Sequence, residues 1–172
     1  IFVVAAAGNR EPDEVFSDVS VPANVGGVIA VGSITRSGGV WSQSATGSEV
    51  DPYTQQNRTY PDQKPEVSAP GVLLLSTAGS TLEPPYAYSS GTSDSTVLVT
   101  GALAMILQLH GEALAGEDGY IGPDGMAIVK RSLASSSDKS SINGVSHDSK
   151  GGYGSLDAVQ WADDVAFELN AA

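Results

Sequence analysis

Two continuous apolar runs constrain the fold more than any other feature of the sequence. Ile1 to Ala7 contains no polar side chain and is closed by Gly8-Asn9, and Val28 to Gly32 has the same form. A strand with one solvent-exposed face alternates apolar and polar residues, whereas a strand buried on both faces of a parallel sheet is apolar throughout. The two runs therefore predict an α/β fold with a mainly parallel sheet.

The segments around these runs predict short strands and one long loop. Val67 to Thr77 is a third extended candidate, and Pro70-Gly71 inside it indicates two short pieces joined by a bend. Gly47 to Gln63 is rich in Pro, Gln and Asn and has no periodic apolar pattern, so it is expected to be a surface loop.

Helices are expected in the second half of the chain. Asp94 to His110 is apolar almost all round, which is typical of a helix inside a core, and His110 and Gly111 suit the C-terminal end of such a helix. Pro123 suits the first turn of a second helix that runs to about Ala134.

The last expected helix runs from Leu156 to Asn170 and is amphipathic. Its inward-facing residues are expected to be Val159, Ala162, Ala166 and Leu169. Its water-facing residues are expected to be Asp163, Asp164 and Glu168. Ser135 to Ser141 contains five serines and is expected to be a flexible connector before it.

Composition removes several classes of function. The formal net charge of −12 makes nucleic acid an unsuitable partner, because phosphate binding needs clustered cations. Such a charge fits a halophile or an ordinary acidic secreted protein, and the charge alone does not separate them. Without cysteine the chain has no disulfide, thiolate nucleophile or Cys-ligated zinc.

The chain is expected to be one domain, residues 1–172, cut from a longer protein. It begins at Ile1 inside a strand, without a polar lead-in. Its longest mostly apolar run, Val97 to Leu109, is shorter than the ~20 residues that span a bilayer, so no membrane span is expected.

Two short motifs carry side chains suited to catalysis. Gly91-Thr92-Ser93 precedes the apolar helix, so Ser93 is expected in its first turn, where backbone N–H groups can stabilise an oxyanion. Helix capping explains an isolated motif of this kind equally well. Asn9 ends the first strand, at the edge where open α/β sheets bind ligands, and its amide can donate to an oxyanion; alone, it is also a common turn residue.

Taken in chain order, five segments resemble the C-terminal half of subtilisin-like serine proteases, the subtilases. The segments are Val4 to Asn9, Val21 to Gly32, Lys64 to Gly71, Gly91 to Ser93, and Gly152 to Ala158. The resemblance covers nearly the whole chain and implies a three-layer αβα fold, of which only the C-terminal portion is present. It also implies a partial protease catalytic domain, secreted from the cell, that acts on peptides or proteins and needs no cofactor.

The resemblance assigns roles to six residues. Ser93 would be the nucleophile, and Asn9 would donate to the oxyanion together with the backbone N–H of Ser93. The specificity pocket would have one wall formed by Ala6, Ala7 and Gly8 and a floor near Ser20. Such a pocket should accept a sizeable side chain that is not strongly basic.

The catalytic base of the family is not in its expected place. Subtilases carry their Asp and His before the asparagine strand, where this chain has only eight residues, none of them acidic or His. The histidines present, His110 and His147, do not stand at the matching positions. The chain alone is therefore expected to be inactive and to need the N-terminal part of the same protease domain. The unpaired edge of the first strand is expected to cause self-association through Ile1 to Ala7 when that part is missing.

A second departure follows the nucleophile. The family continues with small residues, a proline and a histidine, whereas this chain has Asp94 next to Ser93 and lacks both. The Asp94 carboxylate can point outward and stabilise the helix dipole, or inward, where it would oppose an oxyanion. A noncatalytic binding or structural module on the same fold therefore stays open as the alternative. A nucleotide-binding domain is discounted, because Gly8 to Asp13 lacks the Gly-x-Gly-x-x-Gly pattern.

Two weaker signals complete the sequence. Asn57-Arg58-Thr59 matches the N-glycosylation pattern in the loop expected on the surface. Glu66 lies where subtilases can bind a cation, but a single carboxylate without a ring of oxygen ligands does not predict a metal.

Overall fold

A three-stranded parallel sheet forms the centre of the chain. The computed structural model describes residues 1–10, 18–79, 81 and 83–171. Strands β1 (Val4–Ala6), β2 (Ile29–Ile34) and β3 (Val67–Pro70) lie side by side in that order. All six residues of β2 are buried, which confirms the expected parallel sheet. Among the described residues β1 has a strand partner on one side only.

An exposed hairpin follows the sheet. Strands β4 (Leu74–Thr77) and β5 (Tyr86–Ser89) pair antiparallel, so the expected bend at Pro70-Gly71 is confirmed. Gly71 is required at this bend, because a Cβ there would lie 2.1 Å from Ser95 Oγ and 2.6 Å from Gly91 O. The hairpin leads directly into the helix that begins with Thr92.

Three helices pack on one face of the sheet. These are α1 (Thr92–Leu114), α2 (Pro123–Ser136) and α3 (Ala158–Ala171), with a short 3₁₀ helix (Lys139–Ile142) between α2 and α3. They bury the main core together with the strand residues Ile29, Val31, Val67 and Ala69. Among the described residues the opposite face is covered by loop segments around Val19 and Ala45 rather than by a helix. The fold is thus α/β and consistent with part of a subtilisin-like αβα fold.

Helix α1 differs from the expectation in its burial and in its end. Val99, Leu103 and Ile106 are buried, but Val97 is 70% and Met105 58% exposed, so the helix is not enclosed on every side as expected. The helix passes His110 and Gly111 and ends at Leu114, so the prediction that His110 caps its C-terminus is wrong. Burial of Leu114 gives a reason, because it can offset the roughly 1 kcal/mol cost of a glycine within a helix.

The length of α1 also corrects the expectation that the apolar run from Val97 to Leu109 is too short to span a bilayer. The helix has 23 residues and, by length and composition alone, is long and apolar enough to cross a membrane. The core helix of a soluble protein passes the same test. Contacts of α1 with all three strands of the parallel sheet place one of its faces in the protein core.

Two other expectations for the C-terminal region were wrong in part. In α3 Ala162 and Leu169 pack against the core as expected. The fully buried residues, however, are Trp161 and Val165, and Val159 is 74% exposed. Val159 lies two positions before Trp161, about 200° around the helix, and therefore faces away from the core. The serine-rich connector is structured: Ser136 and Ser137 are buried, and both hydroxyls donate to Leu133 O.

A buried charge cluster joins the sheet to α2. Glu66, 1% exposed, accepts from the ammonium groups of Lys64 and Lys130 at 2.8 Å and from Ala30 N at 2.7 Å. Lys64 also donates to Val28 O, and Lys130 to Asp62. Two ammonium groups thus contact the Glu66 carboxylate, which lies in the region where subtilases can bind a cation but for which no metal was predicted.

The two lysines respond differently to this burial. Desolvation lowers the pKa of Lys64 below its ordinary value, although the Glu66 carboxylate beside it opposes the shift. Desolvation also disfavours the Lys130 ammonium, but the Glu66 and Asp62 carboxylates together outweigh it and raise the pKa of Lys130. The Asp62 carboxylate, which only Lys130 contacts, and the positive charge of Lys130, which lowers the pKa of Lys64, both contribute to the difference between the two lysines.

Candidate active site

The N-terminus of α1 presents Ser93 to solvent. The helix begins after Gly91, whose backbone is extended, and has no side-chain cap. Ser93 is exposed in its first turn, as expected, while Thr92 beside it is fully buried. Helix capping therefore does not explain the Gly-Thr-Ser motif, because neither hydroxyl caps this helix.

The hydroxyl of Thr92 connects the helix to the end of β1. Thr92 Oγ1 accepts from Gly8 N at 3.1 Å and donates to Asn9 Oδ1 at 3.0 Å. Thr92 N donates to the same Asn9 oxygen at 3.0 Å. Because a backbone N–H needs an acceptor, these contacts assign the oxygen of the Asn9 amide and leave its Nδ2 as the donor that faces elsewhere.

Two donors meet beside Gly91. A Cβ built on Gly91 would lie 3.1 Å from Asn9 Nδ2 and 3.7 Å from Ser93 N. Thr92 N and Asp94 N are bonded to Asn9 and to Gly91 O, whereas Ser93 N has no recorded acceptor among the described residues. The missing side chain of Gly91 thus leaves space where an amide N–H and a backbone N–H converge, an arrangement suited to an oxyanion.

The expected pocket residues lie behind Asn9, along β1. Ala6, Gly8 and Ser20 are half-buried, whereas Ala7 is fully buried in the small core on the loop-covered face and has no exposed surface. Ser20 packs on Gly8, where a Cβ would lie 2.3 Å from Ser20 Oγ. The Arg10 guanidinium donates to Ser20 Oγ at 2.9 Å, a cationic neighbour that the sequence did not single out.

A buried ion pair holds the loop that carries Ser20. Arg58 binds both carboxylate oxygens of Asp18 at 2.8 Å and also donates to Asn24 O and Ser48 O. The two side chains are only 3% and 12% exposed. Bidentate pairs of this kind are geometrically specific, so the position of Ser20 is fixed from two sides of the loop.

Asp94 turns toward the hairpin. Its Oδ2 accepts from Ser89 Oγ, on the last residue of β5, at 2.9 Å. The same oxygen would lie 3.6 Å from a Cβ on Gly91. The carboxylate therefore lies at the rim of the space between the two donors, half-exposed to solvent.

The two histidines lie apart from this site. His110 is 17 residues beyond Ser93 on α1, about 25 Å along the helix. His147 bonds through Nε2 to Pro65 O at 2.9 Å and packs edge-on against Tyr153. Burial lowers the pKa of His147, although its bond to Pro65 opposes the shift. Neither ring contacts Ser93 in the described part of the chain.

Comparison with known proteins identifies the family. The model of the subtilase family matches residues 1–154. The chain belongs to this family. Among curated proteins, subtilisin E of Bacillus subtilis is 39% identical over 111 residues, which cover 64% of this chain and 24% of the relative. The subtilisin of Bacillus pumilus is 38% identical over 111 residues, which cover 64% and 34%. The chain thus spans about a quarter to a third of the length of these subtilisins.

Solved subtilase-like structures share the fold. The self-cleaved protease domain of PatA has a TM-score of 0.64 and 24% identity, and the match covers 97% of this chain and 51% of that one. The PatG macrocyclase domain has a TM-score of 0.67 and 21% identity, with coverage of 98% and 44%. At these identities the likeness concerns the fold. In both structures about half of the solved chain has no counterpart here.

Proposed function

We propose that this subtilase chain supplies the nucleophile and the oxyanion hole of a serine endopeptidase and takes its Asp and His from outside these 172 residues. The observation that carries the proposal is the convergence of Asn9 Nδ2 and Ser93 N beside Gly91, next to the exposed Ser93 hydroxyl. Membership of the subtilase family and the similarity to subtilisins support it.

In this mechanism Ser93 Oγ attacks the carbonyl carbon of the scissile peptide bond. The Oγ proton passes to the base, the carbonyl oxygen becomes the oxyanion, and Asn9 Nδ2 and Ser93 N donate to it. The base then protonates the leaving amine as the C–N bond breaks, and water hydrolyses the acyl-enzyme. Without the base Ser93 is an ordinary alcohol and a weak nucleophile.

The acyl side of the substrate would lie along Ala6, Gly8 and Ser20. Ala7 does not reach the surface, so it can only support the residues on either side of it. The guanidinium of Arg10 at Ser20 disfavours a basic substrate side chain in this pocket. Ser20 packs directly on Gly8, so a side chain at position 8 would collide with it.

A fluorophosphonate probe tests the proposal. In the full-length protein that contains this chain, the probe should label Ser93. Mass spectrometry of the digested protein would locate the labelled residue. The 172-residue chain alone should remain unlabelled under the same conditions. An intact, folded full-length protein that does not react would favour the alternative, a noncatalytic module on the same fold.

Replacement of Asn9 by alanine should reduce turnover with little change in KM. Loss of one oxyanion donor costs about 10²- to 10³-fold in kcat, a value found for subtilisin, to which this chain is similar. Steady-state kinetics of the full-length protein measure the effect, with Asn57→Ala, at an exposed asparagine, as the matched control. Equal kcat values for the two variants would argue against an oxyanion role for Asn9.

The N-terminal part of the same protease domain is the partner we propose for the open side of this chain. Within the described ranges β1 has an unpaired edge, and the neighbouring groove is mainly apolar. The groove is lined by Ile1, Phe2, Val4, Leu103, Leu107 and Ile121. Leu98, Met105 and Leu109 on α1 are exposed as well. A segment that adds a strand to β1 and covers α1 would bury both surfaces.

Without that segment the chain should self-associate. Light scattering at about 50 µM should give a mass above the 17.5 kDa of one chain, because the β1 edge and the apolar groove can pair between copies. Met105→Lys should reduce the association, whereas Val159→Lys, at a similarly exposed position on α3, should not. A stable wild-type monomer would contradict the expectation.

We also propose that the full-length protein is exported. Asn57 and Thr59 of the glycosylation pattern are both exposed, and the net charge of −12 suits an extracellular or high-salt setting, including that of a halophile. Detection of the protein in the culture medium of its source organism would test this.

A further inference from the structure

Asp94 introduces a negative charge where the proposed reaction creates another. Its Oδ2 and Asn9 Nδ2 would lie 3.6 and 3.1 Å from the same point, a Cβ on Gly91. Ser89 Oγ holds the carboxylate at this rim by a 2.9 Å hydrogen bond. In the described part of the chain no Lys or Arg forms an ion pair with Asp94. An oxyanion between the two donors would therefore face a carboxylate that the described residues leave without a countercharge.

The two sides of the proposed oxyanion hole also differ in charge. On the β1 side, the Arg10 guanidinium bonds to Ser20 next to Gly8. On the hairpin side, Asp94 and Ser89 border the space beside Gly91. A peptide that lies across the hole has the Asp94 carboxylate on its hairpin side.

We propose that Asp94 selects peptides with a Lys or Arg directly after the scissile bond. This inference rests on the proposed function: with the acyl side of the peptide along β1, the leaving-group side lies across the hole, where Asp94 and Ser89 border the space beside Gly91. A substrate cation at Asp94 neutralises the carboxylate and removes its repulsion of the oxyanion. The repulsion grows as the oxyanion forms, so its removal accelerates the chemical step as well as strengthening binding.

Three matched peptides test the inference in the full-length protein. They differ only in the residue after the scissile bond, which is Lys, Gln or Glu. We expect kcat/KM to fall about tenfold from Lys to Gln and again from Gln to Glu. The ranking should shrink at high salt, because the carboxylate is half-exposed and is screened.

Asp94→Asn provides the decisive variant. Asparagine keeps an oxygen that can accept from Ser89, so only the charge is lost. The variant should cleave all three peptides at similar rates and the Gln peptide faster than the wild type does. Glu112→Gln, at the far end of the same helix, is the matched control and should keep the ranking. A ranking absent from the wild type, or retained in Asp94→Asn, would overturn the inference.

A binding measurement separates this inference from the proposed function. Ser93→Ala in the full-length protein should bind the Lys peptide about tenfold more tightly than the Glu peptide by calorimetry, and Ser93→Ala/Asp94→Asn should not discriminate. If the peptides bind with this preference but the wild type cleaves none of them, the proposed protease function fails and the role of Asp94 in peptide selection stands. If the wild type cleaves all three peptides at equal rates, the proposed protease function stands and the role of Asp94 in peptide selection fails.

Discussion

Ser93→Ala is expected to lower turnover of the full-length protein by about 10⁶-fold, the loss found for subtilisin, to which this chain is similar. The variant removes the oxygen that forms the acyl-enzyme in the proposed mechanism, while Asn9 Nδ2 and the backbone N–H at position 93 remain. KM should change little, because the pocket and the oxyanion donors are retained. Steady-state kinetics with a chromogenic peptide measure both constants.

Ser90→Ala is the matched control for this prediction. Ser90 is exposed three residues earlier and bonds only to Leu73 N among the described residues. It should retain wild-type turnover and fluorophosphonate labelling at Ser93. Labelling of the Ser93→Ala protein at any other serine, with turnover preserved, would show that the nucleophile had been misassigned.

Glu66→Gln is expected to destabilise the 172-residue chain by about 3 to 5 kcal/mol, because it leaves the buried Lys64 ammonium without a carboxylate and the Lys130 ammonium with Asp62 alone. Burial makes the loss large: the side chains of Lys64, Glu66 and Lys130 are at most 6% exposed. A glutamine can accept one hydrogen bond from the lysines but carries no charge to offset theirs. Urea unfolding followed by circular dichroism gives the free energy of unfolding.

Glu168→Gln tests whether burial is the cause. Glu168 pairs with Arg131 on the surface, where the two side chains are 27% and 42% exposed. Solvent screens such a pair, so its loss should cost less than about 1 kcal/mol. Similar losses for the two variants would contradict the role assigned to the buried cluster.

The sequence predicted the sheet better than the helices that cover it. Short, unbroken apolar runs in an α/β protein predict strands that are buried on both faces of the sheet, and β1 lies within the first run while β2 begins within the second. Helix burial depends on what packs against each face, which apolar composition does not reveal. Helix α1 is apolar almost all round yet partly exposed in the described residues. In α3 Ala162 and Leu169 face the core as expected, but Trp161 and Val165 form the centre of the buried face and Val159 lies outside it.

At the site, the sequence predicted the identities of the residues but not their connections. Ser93 and Asn9 were recognised from motifs, and the structure brings their neighbourhoods together through Thr92. Thr92 bonds to Gly8, 84 positions away, and Arg10 bonds to Ser20, 10 positions away. A local sequence pattern cannot predict contacts between residues so far apart. The orientation of Asp94 depended on Ser89, a hairpin residue without a distinguishing sequence signal.

The bond network of Thr92 has a practical consequence for protein engineering. Because the Thr92 hydroxyl joins the helix that carries Ser93 to the end of β1 at Gly8 and Asn9, the two residues that we propose for catalysis are already held together within this polypeptide. In a split-protease reporter that uses this chain as one half, the second half would have to supply the proton acceptor to a site where Ser93 and Asn9 are already in position. The reporter signal would then depend on the association of the two polypeptides and not on a conformational change in either one.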